Sequence, residues 1–490
     1  MSKYLSKQLY KIGTIIMGSC IFLASCSSQE NDVSNSAATT EALETTAVNP
    51  IENLVKRDFD KYEFTILTAA EQWADKYITE GETGDILDDA VYNRNRTVEE
   101  LYNITLNYEV VDGYMAGMST VSDKLRGSVM AGDLTYDLFA ASSAYVSALI
   151  TGGMFANQYD SEYLNFNEPW WYEDINKNLM INNRLYISSG AYGLQTLGDA
   201  WSLIFNKNLI NELSLDSPYE FVYQGSWTFD KMLELASAAT LDLNGDTITD
   251  KNDRFGILGT QRESAMAFPY SMGRTITIIG NDGLPEFTGA GENVVEIIDK
   301  LSSLYNTKEL YYGSSMVSPN EELIPMFNEG KGLFAAYTLR IIETDEIRNS
   351  NIDIGILPMP KFNDDQDKYY TFCFADITAI PASVADKEMS CIILEALNCI
   401  SYYDVYPVYK ETVLQQKLSH DNESFDMIDI INEGVTLDFG SVYCNELQPD
   451  LLYVSNIISK NTNYATWWAS VEKSCQSALD EIISTLTELP

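Results

Sequence analysis

The chain has 490 residues, and its 72 acidic side chains outnumber its 31 basic ones, which gives a formal net charge of −41. Such an acidic chain argues against nucleic acid as a partner, because a polyanion is drawn to clustered Lys and Arg. Apolar residues make up 45% and charged residues 21%, a balance typical of a globular protein long enough for two domains. The single histidine, His420, excludes sites that need several histidines.

The N-terminus predicts a secretion signal. Three lysines precede the apolar run Ile12–Ala24, and residues 23–26 read Leu-Ala-Ser-Cys. The run is shorter than the roughly 20 apolar residues that a spanning helix needs. The tetrad resembles the bacterial lipoprotein signal, which implies cleavage before Cys26 and lipidation of its thiol. The alternative is an ordinary secretory signal followed by an unrelated cysteine.

A polar stretch follows the signal. Residues 27–50 contain no aromatic residue, no Lys and no Arg, and they are rich in Ser, Thr, Asn, Ala and Glu. This composition cannot bury enough apolar surface to fold, so we expect a flexible tether. We therefore divide the N-terminal part into a signal peptide at 1–25 and a lipidated cysteine with its tether at 26–50. The folded body is then expected on the extracellular face of the cell membrane, held by a lipid anchor.

The remaining cysteines do not form a recognisable metal pattern. Their spacings match no zinc motif, and an odd number cannot pair completely within one chain. We expect buried free thiols, with one disulfide as the alternative. These residues are Cys373, Cys391, Cys399, Cys444 and Cys475.

Strand-like and helix-like stretches alternate in the first part of the body. The pattern predicts strands at 62–68, 104–111 and 136–141, separated by helices at 86–102 and 119–130. Ligands of such parallel sheets usually lie at the carboxyl ends of the strands. The candidate ligand-binding residues after the first and third strands are therefore Glu71, Gln72, Trp73, Ser142 and Ser143.

Five later segments together resemble one protein family. Residues 199–210 (Asp-Ala-Trp-Ser-Leu-Ile-Phe-Asn-Lys-Asn-Leu-Ile) lead to Ser-Pro-Tyr at 217–219 and to Gly-Ser-Trp-Thr-Phe-Asp-Lys-Met at 225–232. The stretches at 327–337 and 353–360, the second ending in Pro-Met-Pro, resemble the family's inter-lobe strand and the strand after it. In combination these segments resemble extracellular solute-binding lipoproteins of bacterial sugar ABC transporters, of the family 1 type. None of them is diagnostic alone.

This resemblance implies a fold and a function. The implied fold is α/β, two-lobed and periplasmic-binding-protein-like (type II), with crossover hinge segments. We expect an N-terminal lobe at 51–165 and 325–365 and a C-terminal lobe at 166–324 and 366–490. The implied function is capture of a carbohydrate by lobe closure and its delivery to the membrane permease of an ABC importer. The protein is then a monomeric binder without catalytic residues.

The resemblance also implies site residues. Relatives place a sugar-binding carboxylate at the position of Asp199, for which a strand-end cap is the alternative. They place a stacking ring at the position of Tyr337, beside Arg340. Of the paired rings Trp467 and Trp468 at a helix start, we expect one to stack on the ligand. Sequence position alone also makes Trp171, in a loop next to Trp170, a candidate.

Trp227 has a different expectation. It precedes Thr228, a suitable helix N-cap, and Met232 occupies the fourth helical position. This spacing is typical of a hydrophobic staple, so we expect Trp227 to be structural.

A 12-residue acidic loop has the spacing of an EF-hand calcium site. Thr247 stands at position 6, where Gly is usual, and Asp replaces the long Glu at position 12. The alternative is a polar Asn-Gly turn that is rich in Asp for conformational reasons. The predicted ligands of a structural Ca²⁺ are Asp242, Asn244, Asp246, Ile248, Asp250 and Asp253.

Two other function classes stay open. An extracellular carbohydrate-active enzyme would share the signal, the aromatic residues and the acidic loop, but it needs two carboxyl groups facing each other across a cleft. A peptide receptor would use the same two-lobed scaffold. His420 begins an amphipathic helix, which explains it more simply than catalysis does.

Overall fold

A computed structural model describes residues 50–69, 77–79, 81–111, 118–315, 318–418 and 421–489. The predicted signal peptide, Cys26 and the tether up to 49 lie outside the described residues, as do Glu71, Gln72, Trp73 and His420. Within the described part of the chain, each helix is too short or too polar to cross a membrane.

The strands, in chain order, are β1 (Tyr62–Ala69), β2 (Ile104–Val111), β3 (Leu138–Ser142), β4 (Trp201–Asn206), β5 (Phe255–Thr260), β6 (Thr277–Ile279), β7 (Pro285–Phe287), β8 (Tyr311–Ser314), β9 (Gly332–Thr338), β10 (Ile354–Pro358), β11 (Thr371–Phe372), β12 (Asp376–Ala379) and β13 (Val435–Thr436).

The helices are α1 (Ile86–Tyr102), α2 (Met118–Ala131), α3 (Ser147–Thr151), α4 (Glu173–Leu179), α5 (Gln195–Gly198), α6 (Lys207–Glu212), α7 (Pro218–Tyr223), α8 (Phe229–Ala239), α9 (Ser264–Ser271), α10 (Glu292–Asn306), α11 (Leu323–Asn328), α12 (Asp345–Arg348), α13 (Lys387–Ile400), α14 (Tyr406–Leu418), α15 (Asn422–Glu433), α16 (Phe439–Val442), α17 (Cys444–Leu447), α18 (Ser455–Ser459) and α19 (Tyr464–Glu488). Short 3₁₀ helices occupy Pro50–Asn53, Ser143–Tyr145, Pro319–Glu321, Leu339–Glu343 and Pro449–Leu451, and Ser401–Val405 form a π-helical turn between α13 and α14.

The first sheet has the strand order β12-β3-β1-β2. β1 runs parallel to β2 and β3, whereas β12 is antiparallel to β3. The α1 helix that connects β1 to β2 is capped by Asp85, whose carboxylate accepts the N–H groups of Leu87 and Asp88. The predicted strands and helices of this region are confirmed, with ends that differ by no more than two residues.

The second sheet has the order β10-β4-β9-β5-β8. β5 is parallel to β8 and β9, and β4 is antiparallel to β9 and β10. Every residue of β4, β5 and β10 is buried, because helices cover both faces of the sheet. The structure is therefore two α/β lobes, each built around one mixed sheet.

The strand pairing corrects the predicted lobe boundaries. β9 and β10, in the 325–365 segment expected in the N-terminal lobe, are both hydrogen-bonded to β4 in the second sheet. β12, in the segment expected in the C-terminal lobe, is hydrogen-bonded to β3 in the first sheet. Partner choice between strands far apart in the chain is decided by long-range packing, which local patterns do not record.

The chain passes between the lobes several times, since α13 packs on α1 of the first lobe and α15 on β10 of the second. Two of these connections, called here the first and second crossovers, border β12 and β4. The first crossover, residues 189–200, leaves Ser188, which pairs with Thr378 beside the first sheet, and enters β4. The second crossover, residues 359–375, leaves β10 and enters β12. The five cysteines of the body are buried free thiols, as predicted.

Candidate ligand cleft between two sheet edges

The first edge of the candidate cleft is the carboxyl end of β3. Ser142, the last residue of β3, pairs with Asp376, the first residue of the antiparallel β12. The backbone N–H of Ser143 donates to the carbonyl of Ala375 at 2.9 Å. The two predicted serines therefore lie at one edge with Asp376, and all three side chains are buried.

The second edge is formed by strand ends of the other sheet. Trp201 begins β4 opposite Thr338, which ends β9, and Thr260 and Ser314 end β5 and β8 side by side. Asp199 lies two residues before β4 and Arg340 two residues after Thr338, so both belong to this edge.

Asp199 and Arg340 form an ion pair at the second edge. Their Oδ1 and Nη2 atoms lie 3.0 Å apart, and the side-chain amide of Gln195 donates to the same Asp199 oxygen at 3.2 Å. Burial raises the pKa of Asp199, and the nearby positive charge of Arg340 partly offsets that rise. The structure thus brings together two residues that the sequence placed in the site separately.

Tyr337 contributes a partly exposed aromatic ring near this pair. It lies in β9 opposite Ser202, and its ring centroid is 5.7 Å from that of Trp201. Tyr337 is half-buried, whereas Trp201 is buried, so the pair has one ring in the core and one at the edge. An amphipathic ring beside a carboxylate suits a ligand that has both apolar faces and hydroxyl groups.

Asp376 connects the two edges, and sequence reasoning missed it. Its Oδ2 accepts the backbone N–H of Gln195 at 3.1 Å. Burial, followed by the negative charge of Asp199, raises the pKa of Asp376 to about 8. A lone carboxyl group inside the apolar run from 373 to 380 was the signal that marked this residue.

Tyr409 and Glu343 lie close to the ion pair and were also missed. The Tyr409 hydroxyl donates to Glu343 Oε1 at 2.6 Å. The charge of Glu343 contributes to the raised pKa of Asp199, and that of Asp199 contributes to the raised pKa of Tyr409. The second edge therefore carries several acidic groups around the Arg340 guanidinium.

Trp171 is placed differently from its predicted ligand role. Its indole N–H donates to Glu395 Oε2 and that of Trp170 to Oε1, each at 3.1 Å. The backbone N–H of Asn165 donates to Oε2 at 3.3 Å. Both tryptophans are buried, so these rings pack against the Glu395 carboxylate of α13 and have little surface left for a ligand.

Trp467 and Trp468 lie at the start of α19, as predicted. Trp468 is buried against Phe287 of the β6–β7 hairpin, with ring centroids 5.3 Å apart, which makes it a core residue. Trp467 is half-buried and packs at a tilt against Tyr464, with ring centroids 5.4 Å apart. Because Trp468 is buried, only Trp467 of these two rings has exposed surface to offer a ligand.

Trp227 is fully buried, and its indole N–H donates to the carbonyl of Pro358 at 3.0 Å. Thr228 Oγ1 accepts the N–H of Lys231 and caps α8, while Met232 is buried in the same core. The structural interpretation of Trp227 agrees with these contacts.

The acidic loop at 242–253 is shaped by its own side chains. Asp242 accepts the N–H groups of Gly245 and Thr247, and Thr247 has a positive φ of 63°. Asp246 accepts the N–H of Ile248, and Asp253 accepts that of Asp250. Within the described residues, no three Asp, Glu, His or Cys side chains converge as metal ligands, so calcium binding stays a prediction.

Two surface cavities are lined by residues that do not belong to either edge. One, of about 250 Å³, is lined by residues of α1 and β2 including Tyr108, and the other, of about 420 Å³, lies between α1 and Asp404. Both belong to the flank of the first lobe and contain none of the predicted site residues.

Comparisons with known proteins support the architecture. No protein-family model matches the chain, and no curated protein matches it either. A sugar transporter from Rhizobium etli in an open conformation is 13% identical, with a TM-score of 0.55 over 87% of this chain and 100% of that one.

Two further solved structures are similar. The maltose/maltodextrin-binding domain MalE from Bdellovibrio bacteriovorus, bound to maltotriose, is 14% identical, with a TM-score of 0.51 over 86% of this chain and 99% of that one. The GacH receptor of Streptomyces glaucescens is 11% identical, with a TM-score of 0.51 over 88% and 100%. These likenesses show the fold: the chain has the two-lobed α/β architecture of periplasmic binding proteins.

Proposed function

We propose that this chain is the extracellular substrate-binding subunit of an ABC importer and that it captures a carbohydrate between its two lobes. The observation that carries the proposal is the meeting of the two sheet edges at Asp376, Asp199 and Arg340, with Tyr337 beside them. The names of the similar structures, which include a sugar transporter and a maltotriose-bound domain, support a sugar as the ligand class.

The chemistry of the edges fits such a ligand. A sugar presents apolar C–H faces rimmed by hydroxyl groups, so a ring supplies contact area while carboxylate and guanidinium groups fix orientation. Tyr337 supplies the ring, Asp199 accepts hydroxyl protons, and Arg340 donates. Hinge movement of the two crossovers closes the lobes over the bound sugar.

Delivery to a membrane permease and attachment to the membrane complete the proposal. A lipid on Cys26 and the polar tether at 27–50 hold the monomeric body at the outer face of the cell membrane, where a permease receives the sugar. In a Gram-positive host, Cys26→Ala protein is then found in the medium and wild type in the membrane fraction. Equal membrane retention of both proteins removes the anchor from the proposal.

A thermal-shift screen with mono- and oligosaccharides, starting with maltotriose, tests the binding function. A sugar that binds only the folded state raises the melting temperature by mass action. We predict at least one such sugar, bound saturably and recovered unchanged. A screen without any shift, followed by calorimetry without heat, contradicts it.

One observation favours a second function, glycoside hydrolysis. Asp199 and Asp376 are two carboxyl groups at facing edges, and burial raises the pKa of both, as the general acid of such a pair requires. Hydrolysis also requires that a movement of the lobes expose Asp376, which is buried, to the sugar. The two functions differ in one measurement. A binder returns the sugar intact, whereas a hydrolase releases shorter sugars that chromatography detects.

A further inference from the structure

Asp376 is the point at which the two crossovers are tied together. It follows the second crossover directly, and three hydrogen bonds attach it to the first. Its backbone N–H donates to Thr196 Oγ1 at 2.9 Å, its carbonyl accepts from Ser189 Oγ at 2.7 Å, and its Oδ2 accepts the N–H of Gln195 at 3.1 Å. Any separation of the first crossover from β12 breaks these bonds.

Protein atoms closely surround the carboxyl group at this junction. Asp376 is 2% exposed. A Cβ added to Gly193 would lie 2.5 Å from the Cβ of Asp376, so only glycine allows this approach of the crossover backbone. A charged carboxylate in such a place loses its hydration, and burial therefore favours the protonated form.

The groups around Asp376 add to this effect. Asp199 presents a second negative charge, while the Arg340 guanidinium already pairs with Asp199 at 3.0 Å. Burial and the Asp199 charge raise the pKa of Asp376 to about 8, because they outweigh the hydrogen bonds from Tyr77 and Gln195 and the charge of Arg340, all of which favour the ionised form. The described titratable and charged groups that act on it are Tyr77, Tyr172, Tyr192, Asp199, Arg340 and Cys373.

We propose that Asp376 is a proton-dependent clasp, which holds the first crossover against β12 when its carboxyl group is protonated and releases it when the group is ionised. A conformation in which the crossover has moved away hydrates the carboxyl group and separates it from Asp199. That open conformation binds the charged form better, so ionisation favours it. If the clasp affects lobe closure, sugar capture depends on pH, and this consequence rests on the proposed function. The clasp itself is a property of the crossovers and is tested without a ligand.

The sign follows from the two protonation equilibria. In the open conformation the carboxyl group has the ordinary Asp pKa of 3.8, and in the clasped conformation the value is about 8. Stabilisation by the clasp is complete below the lower value and is lost progressively as the pH rises toward the upper one. The open population therefore grows by about tenfold per pH unit within this window.

Hydrogen–deuterium exchange of the full-length chain without ligand tests the clasp. Peptides covering 189–199 are compared between wild type and Asp376→Asn at each pH from 5 to 7, because intrinsic exchange rates at one pH are equal in both. The neutral amide mimics the protonated acid, so we expect the wild-type rate relative to the variant to rise by about tenfold per pH unit. A ratio that stays constant over this range overturns the proposal.

Asp137→Asn is the matched control. Asp137 is also a buried carboxyl group of the first lobe, but it accepts the Tyr62 hydroxyl at 3.0 Å and the Thr65 N–H at 2.8 Å, both from β1. Its substitution should leave exchange at 189–199 as in wild type. If it abolishes the pH dependence there, the effect is not specific to the clasp and the proposal fails.

Asp199→Asn supplies a second variant in case Asp376→Asn does not fold. Removal of the neighbouring negative charge lowers the upper limit of the window, so exchange at 189–199 should stop rising at a lower pH than in wild type. An unchanged upper limit contradicts the role given to Asp199. Because no sugar is present, failure of the clasp is distinguished from failure of the proposed function.

Discussion

Glu395 and Asp376 are two buried carboxyl groups with opposite surroundings. Glu395 belongs to α13 and is closed in by two tryptophan N–H groups and one backbone N–H. Asp376 lies where two crossovers meet, accepts one backbone N–H at its carboxyl group and faces the like charge of Asp199. Burial raises both pKa values, to about 7 for Glu395 and to about 8 for Asp376.

The difference between these two groups shows that burial alone does not distinguish a structural carboxyl group from one that is coupled to a movement. The neighbours of Glu395 are stiff aromatic donors packed against one helix, so its carboxylate organises a core. The neighbours of Asp376 belong to segments that connect two lobes, so its charge is coupled to a movement. A raised pKa therefore identifies a site only when the surrounding elements can move or bind.

The largest effect on stability is expected from a substitution in the Glu395 cluster, which consists of Glu395, Trp170 and Trp171. Trp171→Ala removes a buried ring and one of the donors to the carboxylate, so the free energy of unfolding should fall by about 3–5 kcal/mol. Urea denaturation measures the loss, and Trp467→Ala, which removes a half-buried ring, serves as the control with a smaller loss. A wild-type midpoint for Trp171→Ala means that the cluster does not organise this core.

The second prediction concerns stability and pH. Because Asp376, Glu395 and Asp137 all have raised pKa values in the folded state, their contribution is full near pH 4 and falls as the pH rises toward 8. The melting temperature should therefore be higher at pH 5 than at pH 8, by about 5 °C or more.

The variants separate the three contributions. Asp376→Asn should remove the largest share of this pH dependence, Glu395→Gln a smaller share and Asp137→Asn the smallest, in the order of their pKa values. Calorimetric melting at several pH values measures each share. A melting temperature that rises from pH 5 to pH 8 in wild type contradicts the assignment.

The third prediction separates the cleft from the core through two aromatic rings. Tyr337→Ala should weaken sugar binding roughly tenfold, because a stacked ring is worth on the order of 1 to 2 kcal/mol. Trp227→Phe, a change in the buried ring whose N–H donates to Pro358, should lower stability and leave affinity nearly unchanged. Calorimetry that finds unchanged affinity for Tyr337→Ala and weakened affinity for Trp227→Phe would show that the cleft has been assigned to the wrong residues.

The smallest effect is expected at the acidic loop. If the predicted Ca²⁺ binds there, chelation lowers the melting temperature of wild type by a few degrees but leaves that of Asp242→Ala unchanged. The cause is repulsion among carboxylates that the ion otherwise neutralises. Metal analysis that finds no calcium after equilibration with millimolar calcium removes this prediction.

Local patterns in the sequence predicted the elements of the first lobe well. β1, α1 and β2 have apolar periodicities and caps that depend only on near neighbours, and their predicted positions agree with the structure. The edge residues Ser142, Asp199 and Arg340 were also predicted, because positions at strand ends can be recognised from the pattern or from family resemblance.

Partners distant in the chain could not be predicted. Trp171 and Glu395 are 224 residues apart, and the local sequence around each residue does not indicate that they are hydrogen-bonded. The importance of Asp376 arises from the pairing of β12 with β3 and from its approach to Gly193, both set by the three-dimensional arrangement of the lobes. The same long-range pairing explains why β9 and β10 belong to the second lobe.

Calorimetric titration of sugars into wild type, Asp199→Asn and Asp137→Asn tests the central claim most directly. We predict that wild type binds at least one mono- or oligosaccharide without converting it, that Asp199→Asn binds it at least tenfold more weakly, and that Asp137→Asn binds it as wild type does. Equal affinity for wild type and Asp199→Asn contradicts the placement of the cleft, and conversion of the sugar to product by wild type contradicts the binding function.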